Sequence, residues 1–424
     1  MAEDEHNPVA SMIDFTTNTE ASPEETVPPL TGPFPLQTEV LACQMSSWYP
    51  TFSNLQHEET NESTSLTKKK RKNVTIATII LQGDSLPNDF QDYLTSDGVR
   101  LPLGATKLSS CAPNESKDND DDGWSSDEND ENSDGDDNNE NDETDAPKQF
   151  HFPELNEQIT AAVEDMGGAI IPKLNWSTPK DAGWVNGGSI KCQTPGDVYL
   201  LLKSSDFCLH DVLMQSLKEC KDYCNDSTTD ETTTTTQQLP PLQLSLRKWC
   251  TLYPSMEFRC FVRRHGLLAI SQRNHTQHYP HLMQDWPQIQ DVLVDFFYDY
   301  VRKQFADGTI ENYVVDLYLD KKDRVWILDF NPWSQSTDSL LFEWSELLTM
   351  DDEEVDCDDD SGNDEELRLL PDFRIVETNQ QVRQDPLASY RAPIDTIDLA
   401  SMVGGDAKQF EEFMKQCQKP SEMQ

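Results

Sequence analysis

Apolar, aromatic and β-branched residues crowd two runs, Tyr313–Leu319 and Arg324–Phe330, with the polar quartet Asp320-Lys321-Lys322-Asp323 between them. That pattern predicts a β-hairpin with a four-residue loop. Leu319 then faces Arg324, and Asp316 faces Ile327. Side chains alternate along a strand, so Asp329 and Asn331 share the face of Asp316, and Asp329 is its diagonal cross-strand neighbour. A loop of three or five residues would put Asp316 on the opposite face. Upstream, LQLSLRKW, MEFRCFVRRHG and LLAISQR read as three strands joined by short turns. VTIATIILQ (Val74–Gln82) and AIIPKLNW are predicted as further strands. Leu155, Ile159, Ala162 and Val163 recur at helical spacing within Glu154–Met166, and Gly167-Gly168 would cap that helix. Pro87–Leu94, Pro195–Leu202 and Gln288–Phe305 are also predicted as helices. The sum is a mixed α+β pattern with antiparallel strands.

Polar segments divide the chain. Residues 1–40 read as an acidic, Pro-containing tail, with order beginning near Cys43. Residues 41–110 form the N-terminal part of the folded core, and 111–149 a disordered acidic linker. The main folded block spans 150–348, with a Thr-rich insertion at 217–240 in a surface loop. An acidic loop at 349–366, an element at 367–400 that returns to the core, and a tail at 401–424 complete the order. Asp118–Asp145 holds fifteen acidic residues and no Lys or Arg, too few apolar groups to offset the entropy of ordering.

The formal net charge is -45 over 424 residues. Such a chain repels phosphate backbones and anionic membranes, which argues against direct nucleic-acid binding and favours a partner with basic patches. No run reaches the roughly 18 apolar residues of a membrane span, and the N-terminus lacks the features of a signal peptide. The ten cysteines are scattered, as expected of reduced thiols in the cytosol. His275, His278 and His281 recur every three residues, but Pro280 interrupts them as a metal set. Lys68–Lys72 resembles an import signal, although such runs before strands are usually solvated loop.

Two carboxylates side by side in an apolar hairpin repel unless something neutralises them. Asp316, Asp329 and Asn331 offer oxygen donors alone, which suit Mg²⁺ or Mn²⁺. On spacing alone the alternative, carboxylates turned to water, stays open. Lys173 sits among apolar neighbours and needs an anionic partner if buried. Asn186-Gly187-Gly188-Ser189 is a small-residue loop able to approach phosphates, with Lys191 behind it. Arg247, Lys248, Glu257, Arg259 and Arg273 place charge repeatedly within predicted strands, with Glu257 and Arg259 on one face.

The segments CQMSSWYP, PKLNWSTPKDAGW, LLLKSSDF, LRKW, MEFRCFV, ISQR, VVDLYLD, ILDFNPW and TDSLLFEW closely resemble the cell division cycle protein 123 family. They occur in that family's order from about Cys43 to Trp344, with further likeness from Phe373 to Leu399. The resemblance implies an ATP-grasp-like fold whose two lobes hold ATP and Mg²⁺ between them. It implies an assembly chaperone that binds the gamma subunit of eukaryotic translation initiation factor 2, as a cytoplasmic monomer supporting translation initiation and cell-cycle progression. It further implies that Asp316, Asp329 and Asn331 hold Mg²⁺, and that Lys173, Lys191 and the loop from Ala182 through Gly187 to Ser189 face the phosphates. Leu246, Arg247, Lys248 and Trp249 would form the hinge beside adenine, and Arg259 and Arg273 would reach the phosphate tail, with Glu257 beside them. An ATP-grasp ligase is the alternative. A protein kinase is disfavoured because no HRD-type loop occurs.

Overall fold

The computed structural model describes residues 33–55, 74–105, 108, 148–223, 240–350 and 370–390. Two antiparallel-based sheets divide the strands. The smaller has the order β1-β3-β2, from β1 (Thr78–Gln82), β2 (Ile170–Lys173) and β3 (Gln243–Lys248). The larger has the order β7-β6-β4-β5-β8, from β4 (Glu257–Arg263), β5 (Gly266–Gln272), β6 (Tyr313–Leu319), β7 (Val325–Pro332) and β8 (Asp372–Arg374). Only the last pairing, of β8 with β5, is parallel. The fold is therefore α+β, built as two halves with separate cores.

The helices follow these halves. In chain order they are α1 (Gln37–Ala42), α2 (Met45–Ser53), α3 (Phe90–Thr95), α4 (Pro153–Asp165), α5 (Pro195–Lys203), α6 (Asp206–Val212), α7 (Gln215–Lys218), α8 (Leu282–Phe296) and α9 (Trp344–Thr349). Leu244 and Leu246 of β3 pack with α3 to α6 through Phe90, Leu155, Ile159, Tyr199 and Cys208. Phe258, Cys260 and Val262 of β4 pack with α2 and α8 through Trp48, Phe52, Leu293 and Phe297. The opposite face of the larger sheet is apolar at one end, where Phe261, Ala269 and Val314 meet Trp333, Phe342 and Leu347.

The hairpin differs from the sequence expectation in two ways that cancel. Leu319 pairs with Val325, so the loop has five residues, Asp320 to Arg324. A bulge then shifts the register, and Asp316 pairs directly with Asp329. Packing explains the extra residue. Leu317, Ile327 and Phe330 all enter one core, although 327 and 330 are three apart. Phe330 stacks on Phe305 at 4.3 Å and on Phe52 at 5.2 Å, with Trp48 also 5.2 Å away. Burying a large apolar side chain stabilises by about 1.5–3 kcal/mol, and Phe330 keeps that gain only if Leu328 is skipped in the ladder.

Other boundaries move. α1 begins at Gln37, ahead of the expected start of order near Cys43. α7 and the buried Leu217 and Cys220 occupy part of the stretch assigned to the Thr-rich insertion; residues 224–239 of it lie outside the described residues, as do Lys68–Lys72, Asp118–Asp145 and residues 351–366. The helix expected over Gln288–Phe305 starts at Leu282, six residues earlier, and passes at Phe297 into a π-helical turn ending at Val301. β3 was grouped with β4 and β5 but belongs to the other sheet.

Candidate functional site

Alternation on β3 turns Leu244 and Leu246 into the core of the smaller half, so Gln243, Ser245 and Arg247 occupy its other face. Lys173, paired with Ser245 across the ladder, shares that face. On the larger sheet, Glu257, Arg259, Asp316, Asp329 and Asn331 share the charged end of the face whose other end is apolar. The faces meet directly: Lys173, 1 % exposed, makes a salt bridge from β2 to Asp329 of β7.

Asp316 is the centre of the cluster. Arg259 holds it bidentately, Nε to Oδ1 at 2.8 Å and Nη2 to Oδ2 at 2.9 Å. Arg273 Nε donates to Oδ2 at 3.1 Å, and Asn331 Nδ2 approaches the same oxygen at 3.4 Å. Burial by itself would raise the Asp316 pKa; the two guanidinium groups outweigh it and hold the carboxyl well below the usual range. Arg273 also pairs with Glu257 at 3.1 Å, and Arg259 Nη1 donates to the Asp338 carbonyl at 2.7 Å. For Arg273, burial opposes the charged form, but Asp316 and Glu257 push its pKa up.

Lys180 completes the site and was not singled out in the sequence. Lys180 is exposed at the rim of the site, where the nearby Arg273 charge is the main cause that pushes its pKa down, to about 8. Its signal was present in PKLNWSTPKDAGW, seven residues after Lys173, but no periodicity marks a loop lysine. Two buried carboxylates fix that loop. Asp211 accepts from the Trp176 and Ser177 N–H groups at 2.9 and 2.7 Å. Asp181 accepts from Ser205 Oγ at 2.6 Å and from Phe207 N–H at 3.2 Å.

Among the described residues, the site gathers five cations, Lys173, Lys180, Arg247, Arg259 and Arg273, against three carboxylates, Glu257, Asp316 and Asp329. The Arg247 Nε is enclosed without a hydrogen-bond partner. Burial pushes the Arg247 pKa down, and the Asp329 charge only offsets this in part. An excess of two positive charges, with one guanidinium nitrogen enclosed and unpartnered, is an arrangement an anion would complete.

The other sequence candidates lie farther out. Gly187 and Gly188 take left-handed backbone angles, φ 61° and 81°, as their loop requires. The Gly188 and Ser189 N–H groups already donate to Gly183 and Asn186 carbonyls, so phosphate contact would require that loop to open. Lys191 is half-buried and joins no ion pair among the described residues. Ala182 and Leu246 point into the smaller core, Lys248 is exposed, and the half-buried Trp249 donates its N–H to Ala169.

The residues present fit Mg²⁺ in part. Asp316, Asp329 and Asn331 share a face and supply oxygen donors. Asp329 retains accessible carboxylate surface. Asp316 has both oxygens engaged, so a cation there would displace Arg273 or Asn331 Nδ2 from Oδ2.

The D123 family model matches residues 68–400. A "Translation initiation factor eIF2 assembly protein" of Xenopus tropicalis is 34% identical over 386 residues, covering 89% of this chain and 96% of the relative. A protein of the same name from Danio rerio is 37% identical over 381 residues, covering 89% and 93%. "Cell division cycle protein 123" of Phaeosphaeria nodorum is 35% identical, covering 80% and 90%. The solved structure of Cdc123 from Schizosaccharomyces pombe superposes with a TM-score of 0.52 at 27% identity, covering 81% of this chain and 98% of that one. The chain belongs to the D123 family.

Proposed function

We propose that this chain is an ATP- and Mg²⁺-binding assembly chaperone for eukaryotic translation initiation factor 2, acting through that factor's gamma subunit. The observation that carries the nucleotide reading is the excess of two positive charges between the sheets, with Arg247 Nε unpartnered. A triphosphate chelated by Mg²⁺ carries about the opposite charge, and cations gathered ahead of binding meet it with little rearrangement beyond the exchange of partners at Asp316 and Asp329. In this reading Lys173, Lys180, Arg259 and Arg273 hold the phosphates, while Asp316, Asp329 and Asn331 hold the metal. Bound Mg²⁺ neutralises phosphate charge and fixes the phosphate geometry. The assembly role is supported by the names of the relatives, which span nearly the whole chain. The cytoplasm, where translation takes place, is the corresponding location.

Calorimetric titration with Mg-ATP tests the site. Wild type should bind, and Arg247→Ala, whose Nε has no hydrogen-bond partner to lose, should weaken binding about 10- to 150-fold, the range for a lost hydrogen bond to a charged group. Absence of binding in the wild type would overturn the nucleotide reading. Capture of the isolated gamma subunit, and its faster joining to the other subunits, tests the assembly role separately.

A further inference from the structure

After β8 leaves the edge of the larger sheet, residues 376–390 run as a strap without regular strand structure. Its first half is anchored to the larger half of the fold. Val376 N–H donates to Gln272 Oε1 at 3.0 Å, and Arg383 N–H donates to the His275 carbonyl at 3.1 Å. The Arg383 guanidinium reaches the Leu340 carbonyl and, at 3.5 Å, Glu343. Seven residues farther on, the strap touches the smaller half, where Tyr390 meets Phe207 edge to face with ring centroids 5.7 Å apart. Seven residues span at most about 25 Å, which bounds the distance between the two anchors.

Each anchor borders the cationic site. His275 lies two residues after Arg273, and Leu340 two residues after Asp338, whose carbonyl accepts from Arg259. Phe207 N–H is bonded to Asp181, the neighbour of Lys180. The strap thus runs from the flank of Arg273 to the flank of Lys180. Its ends are unequal. The Arg383 end has backbone and guanidinium hydrogen bonds, whereas Tyr390 meets the smaller half, among the described residues, through a ring contact to a half-buried Phe207.

We propose that this strap is a gate over the cationic site, hinged at Arg383 and latched by Tyr390 on Phe207, which sets how fast a polyanionic ligand enters and leaves. The inference rests on the ligand reading above. A single aromatic pair biases an equilibrium by about 2- to 13-fold, strong enough to slow exchange and weak enough to open spontaneously. A gate leaves a signature that a structural strap does not: unlatching accelerates entry and exit together.

The test is stopped-flow binding and displacement of a fluorescently labelled ATP with Mg²⁺ on the full chain. Tyr390→Ala and Phe207→Ala should each raise the association and dissociation rates by about 2- to 13-fold, leaving their ratio within about twofold. Tyr390→Phe keeps the ring and should retain wild-type rates. Rates unmoved in both alanine variants, beside a wild type that binds, would overturn the gate alone. A wild type that does not bind would overturn the ligand reading and the gate with it.

Discussion

Asp316 is a structural keystone as well as a metal candidate, which changes how it should be probed. Removing its charge leaves the buried Arg259 without its carboxylate partner and Arg273 with Glu257 alone, a change that destabilises by about 3–5 kcal/mol. Asp316→Asn should therefore unfold at lower denaturant concentration, a dependence absent from a reading of the residue as ligand alone. Its folded-state pKa is held below the ordinary carboxylate value, so its contribution is present above about pH 4 and is lost as pH falls through the folded value. The gap in stability between wild type and Asp316→Asn should be widest near neutrality and narrow below pH 4 in acid-denaturation curves. Lys180 gives the opposite dependence through binding. With its pKa at about 8 in the unliganded chain, the ammonium is lost as pH rises above 8. Affinity for Mg-ATP should fall between about pH 8 and 9.5, and Lys180→Arg, which stays charged, should flatten that slope. A slope shared by both proteins would remove Lys180 from the site.

At the level of elements, α5 shows how local chemistry holds the smaller half in place. Thr194 caps it by accepting from Asp197 N–H at 3.2 Å, while Asp197 accepts from Thr194 N–H at 3.0 Å. Leu200, Leu201 and Leu202 then enter the same core as Leu244 and Leu246. Thr194→Ala should lower stability by about 1 kcal/mol, measurable as a shifted denaturation midpoint with unchanged slope. The hairpin teaches a different lesson about elements. Regular alternation brought Asp316 and Asp329 to one face by a four-residue loop, and the structure does so by a five-residue loop and a bulge. The spacing of Val325, Ile327 and Phe330 holds the clue, since their phase breaks at Leu328. Only the ring cage of Trp48, Phe52 and Phe305 explains why Phe330 wins its place.

For the whole molecule, charge is distributed with opposite sign at different scales. The chain carries -45 in total, fifteen of its acids within Asp118–Asp145, yet the meeting place of the sheets is positive. In the assembly reading, that acidic segment raises the encounter rate with a partner bearing basic surfaces. Deleting Asp118–Asp145 should leave Mg-ATP affinity unchanged and slow association with the gamma subunit at low salt. The two rates should converge near 1 M salt, where the Debye length is about 3 Å. Equal rates at every ionic strength would make the segment a spacer. Among the described residues, no helix is long and apolar enough to cross a membrane.

Period-2 and period-3.6 patterns, together with Gly and polar punctuation, determined most elements of this chain by themselves: α4 with its Gly167-Gly168 end, α5, β2, and β6 and β7 as strands of one hairpin. These depend on neighbours in sequence, where local sterics and face alternation dominate. The ion pair between Lys173 and Asp329 joins residues 156 positions apart, and the division of β3 from β4 depends on the pairing of β3 with the distant β1 and β2. So do the recruitment of Lys180 and the return of Tyr390 to Phe207 on contacts that span the chain. Such contacts are chosen by which apolar faces can be buried together and which buried charges then need partners. That competition is settled only when the whole chain has packed.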